Sequence, residues 1–211
     1  MSDAANLRVA SLLASRLCHD LVGPLGAVDN GLELIAEGGS MADEALTLAQ
    51  RSAKRATSRL QYFRYAFGAA GGDSGFGASE AHAFAQSLLQ NGEIQLEWPE
   101  SGGEGLQPGT GRLLLNLLLL GIDCLPRGGR IQVVLRPDRI GAECSGPHAR
   151  LTPELKAAIQ GTCSLSELTA RTVVGRYAAL LASSLGGHLE IVGEGPDRVG
   201  MQAALPSLKR I

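Results

Sequence analysis

The clearest rhythm in the chain lies in its first forty residues, where Leu13, Leu17, Leu21, Leu25, Val28, Leu32 and Ile35 recur at steps of three and four. That spacing predicts an amphipathic helix over about residues 6–37. Gly38, Gly39 and Ser40 end it, and Ser40 or Asp43 can cap a second helix running to about Phe67. Two long helices joined by a short turn make an antiparallel hairpin. Each has one apolar stripe and no third helix beside it, so the hairpin cannot bury itself alone. Two copies packed about a twofold axis would make a four-helix bundle.

The rhythm changes after two glycine-rich tracts, GAAGGDSGFG at 68–77 and GGEGLQPGTG at 102–111. Such tracts are joints or surface loops. The first separates a region without strand signals from one where helical and strand-like runs alternate. Residues 79–91, 110–124, 153–160 and 168–185 read as helices, and 93–98, 130–136, 139–144, 188–192 and 199–205 as strands. The fold class is α+β, with a small sheet covered by helices on one face. The expected organisation is a helical hairpin at 1–70, a linker at 70–78 and an α/β domain at 79–211.

Composition narrows the partners. With 19 basic and 21 acidic residues and a net charge of -2, the chain has no general pull toward nucleic acid or an anionic membrane. One Trp, three Tyr and four Phe, unclustered, offer no stacking platform for bases. The longest apolar run, residues 113–122, is broken by Asn116 and falls far short of the ~20 residues of a membrane span. The N-terminus reads MSDAANLRVASLL, without a basic region or cleavage site, so a cytoplasmic location is expected. Cys18, Cys124, Cys144 and Cys163 are far apart and form no C-x-x-C pair, as reduced thiols would. Cys18 is expected on the packed side of the first helix as a small buried residue.

The candidate chemistry sits in the string RLCHDLVGPL at 16–25. His19, two places past Leu17, is rotated about 200° from the apolar stripe and should face solvent. Gly23 and Gly26 each cost the helix about 1 kcal/mol relative to alanine, and Pro24 removes a backbone hydrogen bond. A helix weakened in this way exposes bare backbone beside its histidine. A neutral imidazole is a good nucleophile toward phosphorus, and the Asp20 carboxylate can hold the proton on its second nitrogen. His19, His82, His148 and His188 share no ligand spacing, so no metal site is expected.

The string His19–Leu25 resembles the H-box of histidine kinase dimerisation domains, in which a histidine, an acid and a proline five residues after the histidine form the phosphoacceptor helix. More closely, residues 16–21 (RLCHDL), 30–34 (NGLEL), 63–68 (FRYAFG) and 146–151 (GPHARL) are similar to the ChpT-type histidine phosphotransferases, over nearly the whole chain. The resemblance implies a kinase-like catalytic (Bergerat) fold for the second domain. Asn116 matches the first asparagine of the kinase nucleotide site, but Leu120 stands where the second would be, and leucine cannot ligate magnesium. The segment 140–146 offers Glu143 and Cys144 but no D-x-G-x-G, and the lid region 169–175 has one glycine.

The family thus implies a phosphorelay protein of two-component, cell-cycle signalling. His19 would take a phosphoryl group from the aspartate of a hybrid kinase's receiver and pass it to a response regulator, without ATP or a cofactor of its own. Magnesium would come with the receiver. Asp20 would orient His19, and Arg16 would contact the phosphoryl group. The receiver would grip Val22, Gly23, Gly26, Asp29, Asn30 and Glu33, flanked by Gln61 and Arg64 from the second helix. Arg51, Lys54, Arg55 and Arg59 form a basic stripe expected to pair across the hairpin with Asp29, Glu33 and Glu37. An ATP-dependent kinase core and a non-catalytic dimeric adaptor are the competing readings. Bifunctional kinases of this H-box type carry Thr or Asn four residues after the histidine to orient a hydrolytic water, and here that place is Gly23. A phosphorylated receiver mixed with His19→Ala protein is therefore expected to lose phosphate no faster than it does alone.

Overall fold

A computed structural model describes residues 3–38, 40–72, 76–90, 92–100 and 106–206. The hairpin is made of α1 (Asp3–Glu37) and α2 (Ala42–Ala66). Neither Ser40 nor Asp43 caps α2; Met41 holds the cap position without a side-chain bond, and Asp43 and Glu44 lie in the first turn, where negative charge suits the helix dipole. A 3-10 turn at Ala69–Gly72 overlaps the start of the expected linker, whose residues 73–75 lie outside the described set. So do residues 101–105 of the second glycine tract and 207–211 at the C-terminus.

The hairpin packs more closely than the leucine stripe implies. Its two helices meet through small side chains. A Cβ added at Gly31 would lie 2.9 Å from that of Ala49, and Ala45, Ala49, Ser52 and Ala56 form the buried stripe of α2. Leu25 and Leu32 remain 51% and 54% exposed, with Val22, Leu46, Leu48 and Leu60 also outward. The sequence stripe is therefore only partly covered: Leu13 and Leu17 pack against the core, while Leu25 and Leu32 stay open. Periodicity reports that a helix has an apolar face, not which neighbour covers it.

The rest of the chain forms a second layer structure: α3 (Ala78–Leu89), β1 (Ile94–Glu97), α4 (Thr110–Asp123), β2 (Gly129–Arg136), β3 (Arg139–Ser145), α5 (Pro153–Gln160), α6 (Val173–Ser184), β4 (His188–Gly195) and β5 (Arg198–Ala204). The sheet runs β1-β2-β3-β5-β4, with β1 and β2 parallel and the other pairs antiparallel. Strand alternation turns Ile131, Val133, Ile140, Ala142, Val199 and Met201 inward, while Arg130, Gln132, Glu143 and Arg198 occupy the other face. The helix expected over 168–185 begins only at Val173. Thr169 and Thr172 exchange bonds between backbone N–H groups and side-chain hydroxyls (3.1 and 3.3 Å), which competes with helical pairing.

α4 is apolar all round because it is enclosed all round, by the sheet, α3, α6 and the end of α2. Its polar side chains fasten the hairpin. The last carbonyls of a helix have no donor of their own, and Asn116 Nδ2 supplies one to Ala66 O at 2.9 Å, while also bonding Arg112 O at 2.9 Å. Arg112 Nη2 donates to the carbonyls of Gly68 and Ala69, and Tyr62 Oη donates to Leu115 O at 2.6 Å. Tyr65, Phe76 and Phe84 stack beside this junction. The apolar core is continuous from Val9 and Leu12 of α1 through Tyr62 and Phe63 of α2 into α4 and the sheet. Replacing Asn116 by alanine removes two hydrogen bonds, the one to Ala66 buried, and strands the Ala66 carbonyl, so a loss of about 2 kcal/mol is expected from denaturant unfolding. An unchanged midpoint would mean that this fastening is energetically idle.

Candidate functional site

α1 sets the site by its rotation. The face that packs follows Val9, Leu12, Arg16 and Asp20, one helical step away from the leucine stripe. His19 is consequently carried out to solvent, its side chain 80% exposed, while those of Arg16 and Asp20 are 12% and 13% exposed. Cys18 lies on the far side from Arg16 and is exposed, contrary to the expectation that it packs.

A chain of polar contacts runs inward from the imidazole. His19 Nδ1 lies 3.1 Å from Asp20 Oδ1. Asp20 Oδ2 accepts from Arg16 Nε at 2.8 Å, and Arg16 Nη1 and Nη2 grip both oxygens of Asp123, at the end of α4, at 2.9 Å each. Burial opposes the charge on Asp20, but hydrogen bonds from Arg16 and His19 and the positive charges of Arg16 and Arg59 outweigh it, holding this carboxyl below its usual range. Burial likewise opposes the charge of Arg16, and the bonds and charges of Asp123 and Asp20 overcome it, so its pKa is raised. The pair therefore stays ionised at neutral pH. Arg16 is not positioned as a free phosphoryl contact, because all three of its guanidinium nitrogens are engaged by carboxylates. Its Nε holds Asp20 beside His19.

Pro24 explains the second support. A proline has no N–H, so the carbonyl four residues earlier, that of Asp20, loses its helical donor. Arg59 of α2 fills the gap, its Nη1 donating to Asp20 O at 3.1 Å. The hairpin register thus brings Arg59 to Asp20, two residues before Gln61. The remaining basic residues do not pair with Asp29, Glu33 or Glu37; among the described residues no ion pair joins them. Lys54, Arg55 and Arg59 instead line a cleft toward α3.

The expected docking residues lie on the open side. Val22, Gly23, Asp29, Asn30 and Glu33 are exposed and Gly26 is half-buried, and a Cβ at Gly23 or Gly26 would meet nothing within 4 Å. Gln61 and Arg64 are exposed on α2, with the Arg64 guanidinium 5.8 Å from the Tyr65 ring centre. Asp123, and the contact of Arg59 with the Asp20 carbonyl, are the parts of this network that sequence reasoning missed. Pro24 signals that the Asp20 carbonyl needs a donor; nothing local signals Asp123, which is 107 residues from Arg16.

The positions that would hold a nucleotide and its magnesium in a kinase do not fit that group here. Asn116 is wholly buried and its Nδ2 is spent on two carbonyls; its Oδ1, though unpartnered, is sealed in with it. Leu120 is buried in α4. Glu143 lies on the sheet face away from α4, accepting from Gln202 Nε2 at 3.0 Å, and Cys144, on the α4 side, packs at Gly121 with its thiol pushed up to about 12 by burial.

Comparison with known proteins bears on the whole chain. Residues 78–197 match the model of a family described as the histidine phosphotransferase C-terminal domain. The protein phosphotransferase ChpT of Brucella abortus (strain 2308) is 36% identical over 203 residues, covering 92% of this chain and 94% of that protein. A solved bacterial phosphotransferase superposes with a TM-score of 0.80 at 33% identity, covering 96% of this chain and 97% of its own.

The Arg59 contact is open to a double-mutant cycle. Arg59→Met should destabilise the protein by about 1 kcal/mol. In a Pro24→Ala background, where residue 24 regains the N–H that can return to Asp20 O, the same change should cost much less, giving a coupling of about 1 kcal/mol in denaturant unfolding. Strict additivity would show that Arg59 does not replace the missing helical bond.

Proposed function

Because this chain belongs to the histidine phosphotransferase family, we propose that it relays a phosphoryl group through Nε2 of His19, between aspartates of receiver domains and without ATP. The observation that carries this reading is the outward imidazole backed by an ionised carboxylate at 3.1 Å. With Nδ1–H donating to Asp20, the Nε2 lone pair projects to solvent. It attacks the phosphorus of an aspartyl phosphate, the P–O bond breaks, and the receiver's carboxylate leaves with the electron pair. The ring keeps its Nδ1 proton and gains positive charge, which Asp20 stabilises in place. Attack by a second receiver's carboxylate reverses the sequence. Such transfer needs little beyond in-line placement and charge balance, and magnesium would be ligated by the receiver's own acidic pocket.

The surroundings of His19 suit a docked partner. Gly23 and Gly26 leave the α1 surface bare within two turns of the histidine, so another backbone can come close. The exposed apolar residues Leu25, Leu32, Leu46, Leu48 and Leu60 suit a second hairpin, and the working unit would be a homodimer. No helix among the described residues is long and apolar enough to cross a membrane, and the relay would work in the cytoplasm.

The test is phosphoryl transfer from radiolabelled phospho-receivers of the same organism's hybrid kinases, with no ATP present. Label is expected on the wild type and absent from His19→Gln, and it should be lost in acid and stable in base. Absence of label from every donor would favour a non-catalytic adaptor; label appearing with Mg-ATP alone would restore the kinase reading.

A further inference from the structure

On the far side of Asp20 from His19, the hairpin and the α/β layer enclose a cleft of about 320 Å³. That volume falls in the range of small-molecule sites. Neither Asn116 nor the segment 140–146 lines it, so it is not a remnant of the kinase nucleotide site. Its floor is apolar, made by Phe63, Leu119 and Ile122 at the junction of α2 and α4. Its α2 wall carries Lys54, Arg55 and Arg59, with Ser58 bonded to Ser87 of α3 at 2.8 Å beneath them.

The charges in this cleft are unevenly compensated. Asp20 and Asp123 also reach it, but both are tied to Arg16. Among the described residues Lys54 and Arg55 have no carboxylate within 4 Å, and Glu93 stands on the rim without an ion pair. Arg55 and Arg59 are four residues apart and share one helix face. Cations are thus gathered along one wall above an apolar floor. A bare inorganic anion would meet the cations and leave the floor wet; a neutral apolar molecule would fill the floor and strip water from Arg59 with nothing in return.

We propose that the cleft binds a small amphipathic anion, with a phosphate or carboxylate head against Arg55 and Arg59 and an aryl or acyl body on Phe63 and Leu119. A guanidinium suits either head group, since both present paired oxygens. The site has a mechanical link to the relay. Arg59 holds the Asp20 carbonyl, so an anion that draws Arg59 into the cleft competes for the group that braces α1 at Pro24. On the phosphorelay reading above, an occupied cleft slows transfer through His19.

Binding is tested without reference to phosphoryl transfer. The full-length, isotope-labelled protein is titrated with phenyl phosphate, benzoate or inorganic phosphate while backbone amide shifts are followed. Phenyl phosphate or benzoate should give saturable shifts at residues 55–59 and 87–90, at least tenfold tighter than inorganic phosphate, and the tighter of the two identifies the head group. Lys54→Glu combined with Arg55→Glu, both at the exposed mouth, should weaken that binding at least tenfold. The proposal is overturned by no saturable shift, by inorganic phosphate binding as tightly as phenyl phosphate and benzoate, or by unchanged binding in the double variant. None of those outcomes touches the role of His19, which is read separately by labelling.

Discussion

The two-pronged grip of Arg16 on Asp123 fixes the rotation of the first helix, and the site follows from that rotation. Both groups are largely buried, and Arg16 spends its third nitrogen on Asp20. Withdrawing two charges from water costs much of what their attraction returns, so a pair of this kind adds little net stability and a great deal of geometric definition. Here the definition is the useful part. If α1 turned by one residue, about 100°, His19 would no longer project to solvent with Asp20 beneath it.

The same segment shows a deliberate weakness offset from outside the helix. Gly23, Pro24 and Gly26 lower the intrinsic stability of α1 within two turns of His19, and Pro24 leaves the carbonyl of Asp20 without its helical donor. Arg59 supplies the missing hydrogen bond from the other arm of the hairpin. The helix can therefore offer a smooth, glycine-bare surface without fraying, because its defect is repaired on the buried side. Asp20 is held at three points, by its carboxylate on Arg16 and His19 and by its carbonyl on Arg59.

α4 plays the corresponding part for the second layer. Its leucines fill the space between sheet and hairpin, and its few polar groups are turned to the end of α2, where Asn116 and Arg112 satisfy carbonyls that a helix terminus leaves open. In this chain the buried asparagine of α4 serves a joint. The consequence is a hairpin and sandwich that share one core, with Asp123 delivered from the far end of the same helix to Arg16.

The sequence by itself determined the element types, the exposed His19, its pairing with Asp20 and the family, because these rest on local spacing within one helix and on short motifs. It also indicated that something was unusual at Pro24. It did not determine which face of α1 is covered: the leucine stripe and the packed face differ by a fraction of a turn, and small residues such as Gly31 and Ala49 make a contact that hydropathy does not register. The tertiary structure alone decided that Cys18 lies outside, that Arg16 points inward to Asp123, and that Arg59 reaches the Asp20 carbonyl. Those outcomes depend on groups 39 to 107 residues apart meeting in space, and helical periodicity carries no information at that range.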